Sequence, residues 1–135
     1  MKNLVLLFIL TIFFAIFSCK KDSESERFKL LTDPTWASDS LLANGVDASG
    51  PGDILEKFKG TVKFNKDGTG TFGVYEGKWR FVYDETQIVI ETDSLPIPLT
   101  TKIAELTAAS LKITTSYPNL TTGITINIRM TFKPE

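Results

Sequence analysis

The stretch TFGVYEGKWRFVYDETQIVI, residues 71–90, contains three short runs of alternating apolar and polar residues separated by two turn signals. Alternation with a period of two is typical of strands that bury one face. Glu76-Gly77 predicts a two-residue hairpin turn, because glycine accepts a positive φ, and Asp84-Glu85 predicts a second such turn. With these turns, one face of an antiparallel meander collects seven apolar side chains: Phe72, Val74, Trp79, Phe81, Tyr83, Ile88 and Ile90.

The turn before this stretch is NKDGT, residues 65–69. A two-residue turn ending at Gly68 would place Phe64 on the face opposite Phe72. A three-residue loop, with Gly68 left-handed in a bulge, places Val62, Phe64 and Phe72 on one face. Because a one-residue slip would expose the whole apolar set, we predict the three-residue loop.

The same alternation continues to the end of the chain and is most regular in ITINIRMTF, residues 124–132. Ile103 and Leu106 are three residues apart, which predicts a bulge or a change of face. Eight sequential antiparallel strands with one apolar face close most simply into an all-β, up-and-down barrel, because closure removes exposed strand edges; an open sandwich is the alternative. The predicted strands lie near 35–43, 58–65, 69–76, 77–84, 86–92, 100–107, 110–117 and 123–133.

The connections between these strands differ in length. The segments at 44–57, 94–99 and 116–123 are longer and richer in proline, glycine and apolar residues, whereas the other connections are tight. Since alternate loops of a meander lie at the same end, the long segments fall together. The predicted barrel therefore has a loop-rich end and a pinched end.

The first residues form a separate segment. Leu4 to Phe17 is an apolar run of 14 residues preceded by Lys2, which is short for a membrane span of about 20 residues and typical of a signal peptide. We assign residues 1–18 to the signal peptide, 19–29 to a flexible tether that contains KKDSESE, and 30–135 to the barrel.

The sequence Ile16-Phe17-Ser18-Cys19 resembles the lipobox of bacterial lipoproteins. The resemblance implies cleavage before Cys19, acylation of Cys19 (palmitate is a typical chain) and anchoring at the cell outer membrane. Two or three acyl chains hold a protein firmly, whereas one holds it marginally. The alternative is a secretory signal with a cysteine near the cut. Lysine followed by acidic residues also resembles the export signal of Bacteroidota-type surface lipoproteins, for which the alternative is a solvated spacer.

Four parts of residues 30–135 together resemble the lipocalins, in particular the small lipocalin-like domains of bacterial lipoproteins. These parts are Trp36, FNKDGTGTFGVYEGKWRF (64–81), IAELTAASLKI (103–113) and RMTF (129–132). The resemblance implies a calycin-type barrel in which a late basic residue stacks on the first-strand tryptophan. Arg129 is the candidate partner of Trp36, and the cation–π attraction between them would be worth about 0.5–2 kcal/mol. The alternative role of Arg129 is an outward charge on the last strand.

The composition excludes several kinds of chemistry. With no histidine and one cysteine, the chain lacks the residues of Ser-His triads and of common zinc sites. A formal net charge of −1 is not that of a nucleic-acid-binding surface. We expect no enzymatic activity, no cofactor, no metal and no nucleic acid.

Two functions remain open. The lipocalin resemblance implies a carrier of a small hydrophobic ligand, with Ile54, Leu55 and Phe58 as a lid. The alternative is a packed, non-catalytic barrel that serves as a structural or protein-interaction module at the cell envelope, because eight strands enclose space either for side chains or for one small ligand. The candidate ligand-binding residues are Phe58, Phe72, Trp79, Phe81, Leu95, Ile97 and Tyr117.

Overall fold

Eight strands form a closed antiparallel barrel in the computed structural model, which describes residues 23–135. Closure occurs where β1 pairs with β9, and a two-residue strand, β2, extends the sheet beside β1. This arrangement confirms the all-β up-and-down barrel and excludes the open sandwich. The strands are β1 Trp36–Ala43, β2 Val46–Asp47, β3 Thr61–Phe64, β4 Thr69–Phe72, β5 Tyr75–Val82, β6 Gln87–Thr92, β7 Leu99–Leu106, β8 Leu111–Pro118 and β9 Thr125–Pro134.

The two ends of the barrel differ as the connection lengths predict. The pinched end carries loops 65–68, 83–86 and 107–110, and the loop-rich end carries loops 44–60, 73–74, 93–98 and 119–124. Cys19, the predicted signal peptide and the first part of the predicted tether lie outside the described residues.

Two of the three turns predicted between residues 65 and 86 have the predicted register. The amide of Asn65 donates to the carbonyl of Thr69, Val62 pairs with Phe72, and Gly68 has φ +86°, so the three-residue loop is confirmed. Phe81 pairs with Ile88, which confirms the Asp84-Glu85 turn.

The turn between β4 and β5 was predicted wrongly. Its two residues are Gly73 and Val74, not Glu76 and Gly77, so Phe72 pairs with Tyr75 rather than with Phe81. The sequence offers two glycines, and Gly77 instead lies inside β5 opposite Gly70. The pairing of β4 with β5 is shifted by an even number of residues from the predicted register, so the same side chains of each strand still face inward.

Two side chains that were predicted to face inward are exposed. Val74 is 70% exposed in the turn, and Tyr83 is 73% exposed at the pinched end. By contrast, the predicted irregularity in the sixth predicted strand, residues 100–107, is confirmed, because the pairing of β7 with β8 shifts between Ile103 and Glu105.

A short helix, α1 (Glu26–Thr32), lies before β1. The hydroxyl of Ser25 accepts the amide of Phe28 and caps the helix, as serine commonly does at this position. The boundary that was predicted between tether and barrel, at residues 29 and 30, falls inside this helix. The folded part therefore begins earlier than the sequence predicted.

Helix α1 is fastened to the pinched end. Leu31 is fully buried, and its carbonyl accepts the indole N–H of Trp36 at 3.0 Å. The ammonium of Lys63 donates to the carbonyls of Thr32, Asp33 and Pro34 at 2.6, 3.0 and 2.9 Å. These bonds satisfy carbonyls at and just beyond the helix end that lack intrahelical partners.

Candidate functional site at the loop-rich end

Loop 44–60 folds over the loop-rich end, and we call its residues 48–60 the lid. The lid contains a 3₁₀ turn, Glu56–Phe58. Its backbone is fixed by the amide of Leu55, which donates to Ala48 at 3.0 Å, and by the amide of Val74, which donates to Lys57 at 2.9 Å. Leu55 and Phe58 are buried as part of the barrel core. The lid therefore closes the end with apolar side chains.

Beneath the lid the interior is nearly filled. The apolar cleft there measures ≈ 70 Å³, whereas sites for drug-sized ligands are about 300–1,000 Å³. Its lining residues are Ile54, Leu55, Phe58, Tyr75, Leu95, Leu99, Tyr117, Ile128 and Met130.

Three of the seven candidate ligand-binding residues meet at this cleft, namely Phe58, Leu95 and Tyr117. Ile97 lies nearby in loop 93–98 but is 36% exposed and does not line the cleft. Phe72 is buried in the core, with its ring 5.4 Å from that of Phe64.

Trp79 and Phe81 lie away from the cleft. The indole N–H of Trp79 donates to the carbonyl of Asn65 in a pinched-end loop at 2.9 Å. Its ring lies 5.8 Å from Phe28 of α1 and 5.4 Å from Phe81. These two candidate ligand-binding residues therefore lie toward the pinched end and do not line the cleft, because β5 starts two residues earlier than predicted and carries them toward α1.

Sequence reasoning missed Tyr75, Ile128 and Met130 as lining residues. The Tyr75 ring packs 4.9 Å from the ring of Phe58, which belongs to the lid. Tyr75 was missed because the turn beside it was misplaced. The alternation in β9 predicts that Ile128 and Met130 face inward, but it does not indicate where along the barrel axis they lie.

The structure does not bring Trp36 and Arg129 together. Trp36 is fully buried and pairs with Pro134, five residues along β9 from Arg129. Arg129 is exposed on the outer face, where it pairs with Leu42 and Thr114. The predicted stacking is wrong, and the outward alternative describes Arg129.

Exposed apolar side chains surround the mouth of the barrel, and we call them the apolar rim. Scattered exposed apolar residues are normal on proteins, but a cluster marks a contact surface. The exposed large apolar side chain at the other end of the barrel is Tyr83. The rim residues, which come from all four loops of the loop-rich end, are Val46, Ile54, Val74, Ile97, Leu120 and Ile124.

The charges beside the rim are mostly negative. The cations of these loops are Lys57 and Lys59. Hydrogen bonds from the Ser49 hydroxyl and amide hold the pKa of Asp47 below its usual value, so this carboxylate is charged at neutral pH. The carboxylates in the four loops and near the start of β5 are Asp47, Asp53, Glu56, Glu76 and Asp93.

Neither a metal cluster nor a membrane-spanning helix is found in the described chain. Across residues 23–135, no group of three or more histidine, cysteine or acidic side chains is placed to hold a metal ion. Over the same residues, no helix has both the length and the apolar character needed to cross a bilayer. No protein-family model and no curated protein matches the sequence.

Proposed function

We propose that the chain is a lipid-anchored envelope protein whose packed, lipocalin-like barrel binds a protein partner through the apolar rim. The observation that carries this proposal is the volume of the cleft, ≈ 70 Å³, which leaves no room for a lipid or another drug-sized ligand. A barrel with so small a cleft is left with its outer surface for binding.

The rim supplies the surface. Its six side chains come from loops 44–60, 73–74, 93–98 and 119–124, so they encircle the mouth. The surrounding carboxylates outnumber the amines, and complementary charge favours correct partners and suppresses wrong ones. The partner is therefore a protein segment with apolar side chains at its centre and lysine or arginine at its margin.

The position at which residues 24 and 25 join the barrel supports a rim that faces away from the membrane. Glu24 forms an ion pair with Lys66 at 2.9 Å, and the Ser25 hydroxyl donates to the Glu85 carboxylate at 2.7 Å. Both partners lie in pinched-end loops, so the chain enters the barrel opposite the rim. An acylated Cys19 lies six residues before Ser25, a span of about 20 Å at most. The anchor thus holds the pinched end toward the membrane and turns the rim away.

Site-specific photocrosslinking in cells tests the partner. A crosslinking residue at Val74 or Leu120 is expected to yield one discrete protein adduct, because both side chains are in the rim. The same residue at Tyr83 is the matched control, since Tyr83 is equally exposed, at 73%, on the opposite end. Equal adducts from all three positions, or none from the rim, would contradict the proposal.

Metabolic labelling with a palmitate analogue tests the anchor. The natural chain is expected to carry label and to sediment with the outer membrane. The Cys19→Ala variant is expected to lose both properties, because the thiol is the atom that receives the lipid. Protease treatment of intact cells then separates surface display, in which the barrel is cut or released, from display on the inner leaflet.

A carrier of a small hydrophobic ligand is the second candidate function. The apolar lining of the cleft beneath the lid favours it, since three of the seven candidate residues meet there. This function requires the lid to move outward, which breaks the bond from the Val74 amide to the Lys57 carbonyl. Binding would therefore be accompanied by faster hydrogen exchange at Val74.

A further inference from the structure

An open groove of ≈ 660 Å³ crosses the outer face of the barrel. It lies over β6, β7, β8, β9 and β1 and ends at Gly45, beside the rim residue Val46; none of residues 48–60 lines it. The strand register places one row of outward residues across it, in which each residue pairs with the next. This row runs Gln87, Lys102, Thr114, Arg129 and Leu42.

The two cations of this row have no carboxylate partner within residues 23–135. Neither Lys102 nor Arg129 belongs to any of the five ion pairs found there. Asp47 pairs with Leu42 at the end of this row, and its carboxylate accepts hydrogen bonds from Ser49.

Four other cations on the strands of the barrel have a partner, whereas Lys78 on β5 has no ion pair among the described residues. Lys133 lies 2.8 Å from Asp39, and Arg80 lies 2.8 Å from Glu91. Lys112 lies 3.9 Å from Glu105, and Lys63 donates to carbonyls. The groove therefore concentrates uncompensated positive charge in a chain whose formal net charge is −1.

Between and beside the two cations, the groove is lined by small polar side chains. Thr114 separates Lys102 from Arg129, and the neighbouring row presents Thr100, Ser116 and Asn127. The Ser116 hydroxyl donates to the side-chain carbonyl of Asn127 at 3.0 Å, which leaves the amide N–H₂ of Asn127 for a ligand. No aromatic ring is among the lining residues.

We propose that this groove binds an acidic oligosaccharide. Lys102 and Arg129 lie two strands apart, or about 10 Å between their Cα atoms, so they can hold one anionic group from both sides or two groups in succession. Hydroxyl and amide groups between them suit the hydroxyls of sugars. Single-stranded nucleic acid needs aromatic platforms on which bases stack, and the lining provides none.

The carboxylates of uronic acids and the phosphates of phosphorylated glycans offer the same charge to these cations. The Arg129 guanidinium can hold either group in a bidentate pair, and the ammonium of Lys102 adds a second contact. We take the carboxylate form as the ligand, and the titration below separates it from the phosphate form.

The test is a titration of the full chain, purified in detergent and labelled with ¹⁵N, followed by the amide spectra. The probes are trigalacturonate, the neutral trisaccharide maltotriose and inorganic tripolyphosphate. Trigalacturonate is expected to shift the amides of Lys102, Thr114 and Arg129, while maltotriose leaves them unchanged. The variants Lys102→Gln and Arg129→Gln are each expected to weaken binding about tenfold, since each removes one charge-assisted contact.

Lys78→Gln is the matched control, because Lys78 is an exposed strand cation that faces Glu91 and lies outside the groove. It is expected to leave the affinity unchanged. An equal loss in Lys78→Gln, or equal binding of maltotriose, would overturn the proposal. Tripolyphosphate binding at these amides without trigalacturonate binding would also overturn it, in favour of a phosphate site.

Discussion

Gly73 is the residue at which the lid meets the barrel wall. Its amide donates to the carbonyl of Thr61 at 3.0 Å, and the next amide, that of Val74, donates to Lys57 in the lid. A Cβ atom on Gly73 would lie 2.2 Å from the carbonyl oxygen of Lys57. The lid can pack this closely only against a residue without a side chain, so Gly73 fixes both the turn and the closure.

Gly73→Ala is expected to destabilise the protein by at least about 2 kcal/mol more than Gly52→Ala. Gly52 also has a positive φ, +83° against +64°, but a Cβ atom there meets nothing within 4 Å. Both variants carry the cost of a left-handed alanine, of about 1–2 kcal/mol, so their difference isolates the clash with the lid. Urea unfolding of the two variants measures it, and equal midpoints would show that the lid is not packed as described.

Asp67 links the stability of the 65–69 turn to pH. Its carboxylate accepts the hydroxyl and the amide of Thr69, at 2.6 and 2.9 Å, and these bonds lower its pKa from the usual 3.8. Because the folded pKa lies below the unfolded one, the stabilisation is complete above pH 3.8 and is lost as the pH falls through the folded pKa.

Asp67→Asn is therefore expected to be less stable than the natural chain at pH 7, with a difference that shrinks as the pH falls below 3.8. Thermal unfolding from pH 7 to pH 2.5 measures the difference. A difference that does not change with pH would mean that the charge of Asp67 has no part in holding the turn.

At the scale of elements, the hairpins were largely predictable and helix α1 was not. Each turn is specified by a few adjacent residues. The prediction was wrong where either of two glycines, Gly73 or Gly77, could have formed the turn. Helix α1 has only seven residues, too few for its periodicity to stand out, and isolated helices of that length are marginal in water. Its stability comes from Leu31, Trp36 and Lys63, which the fold brings together from separate elements.

Leu31→Ala is expected to lower the free energy of unfolding by about 2–5 kcal/mol, because it empties a fully buried site under the helix. Lys29→Ala is the control, since Lys29 lies on the same helix and is exposed; a change within about 0.5 kcal/mol is expected for it. Chemical unfolding followed by tryptophan fluorescence measures both. Similar small effects would show that α1 is not part of the folded barrel.

At the scale of the whole molecule, the sequence predicted a barrel but not whether it is full. Alternation indicates which side chains face inward, whereas a cavity depends on their summed volume and on the height of each residue along the axis. The displaced β5 shows the consequence, because it moved Trp79 and Phe81 to the pinched end and left Tyr75 beneath the lid. The cleft of ≈ 70 Å³ then follows from packing that no local pattern specifies.

The filled interior is the central claim, and native mass spectrometry of the full chain purified from its own membrane tests it most directly. The mass under native conditions, after detergent is removed in the gas phase, is expected to equal the mass of the denatured chain, with any covalent lipid present in both. A non-covalent hydrophobic molecule retained at one copy per chain, and lost only on unfolding, would contradict the filled barrel and establish the carrier.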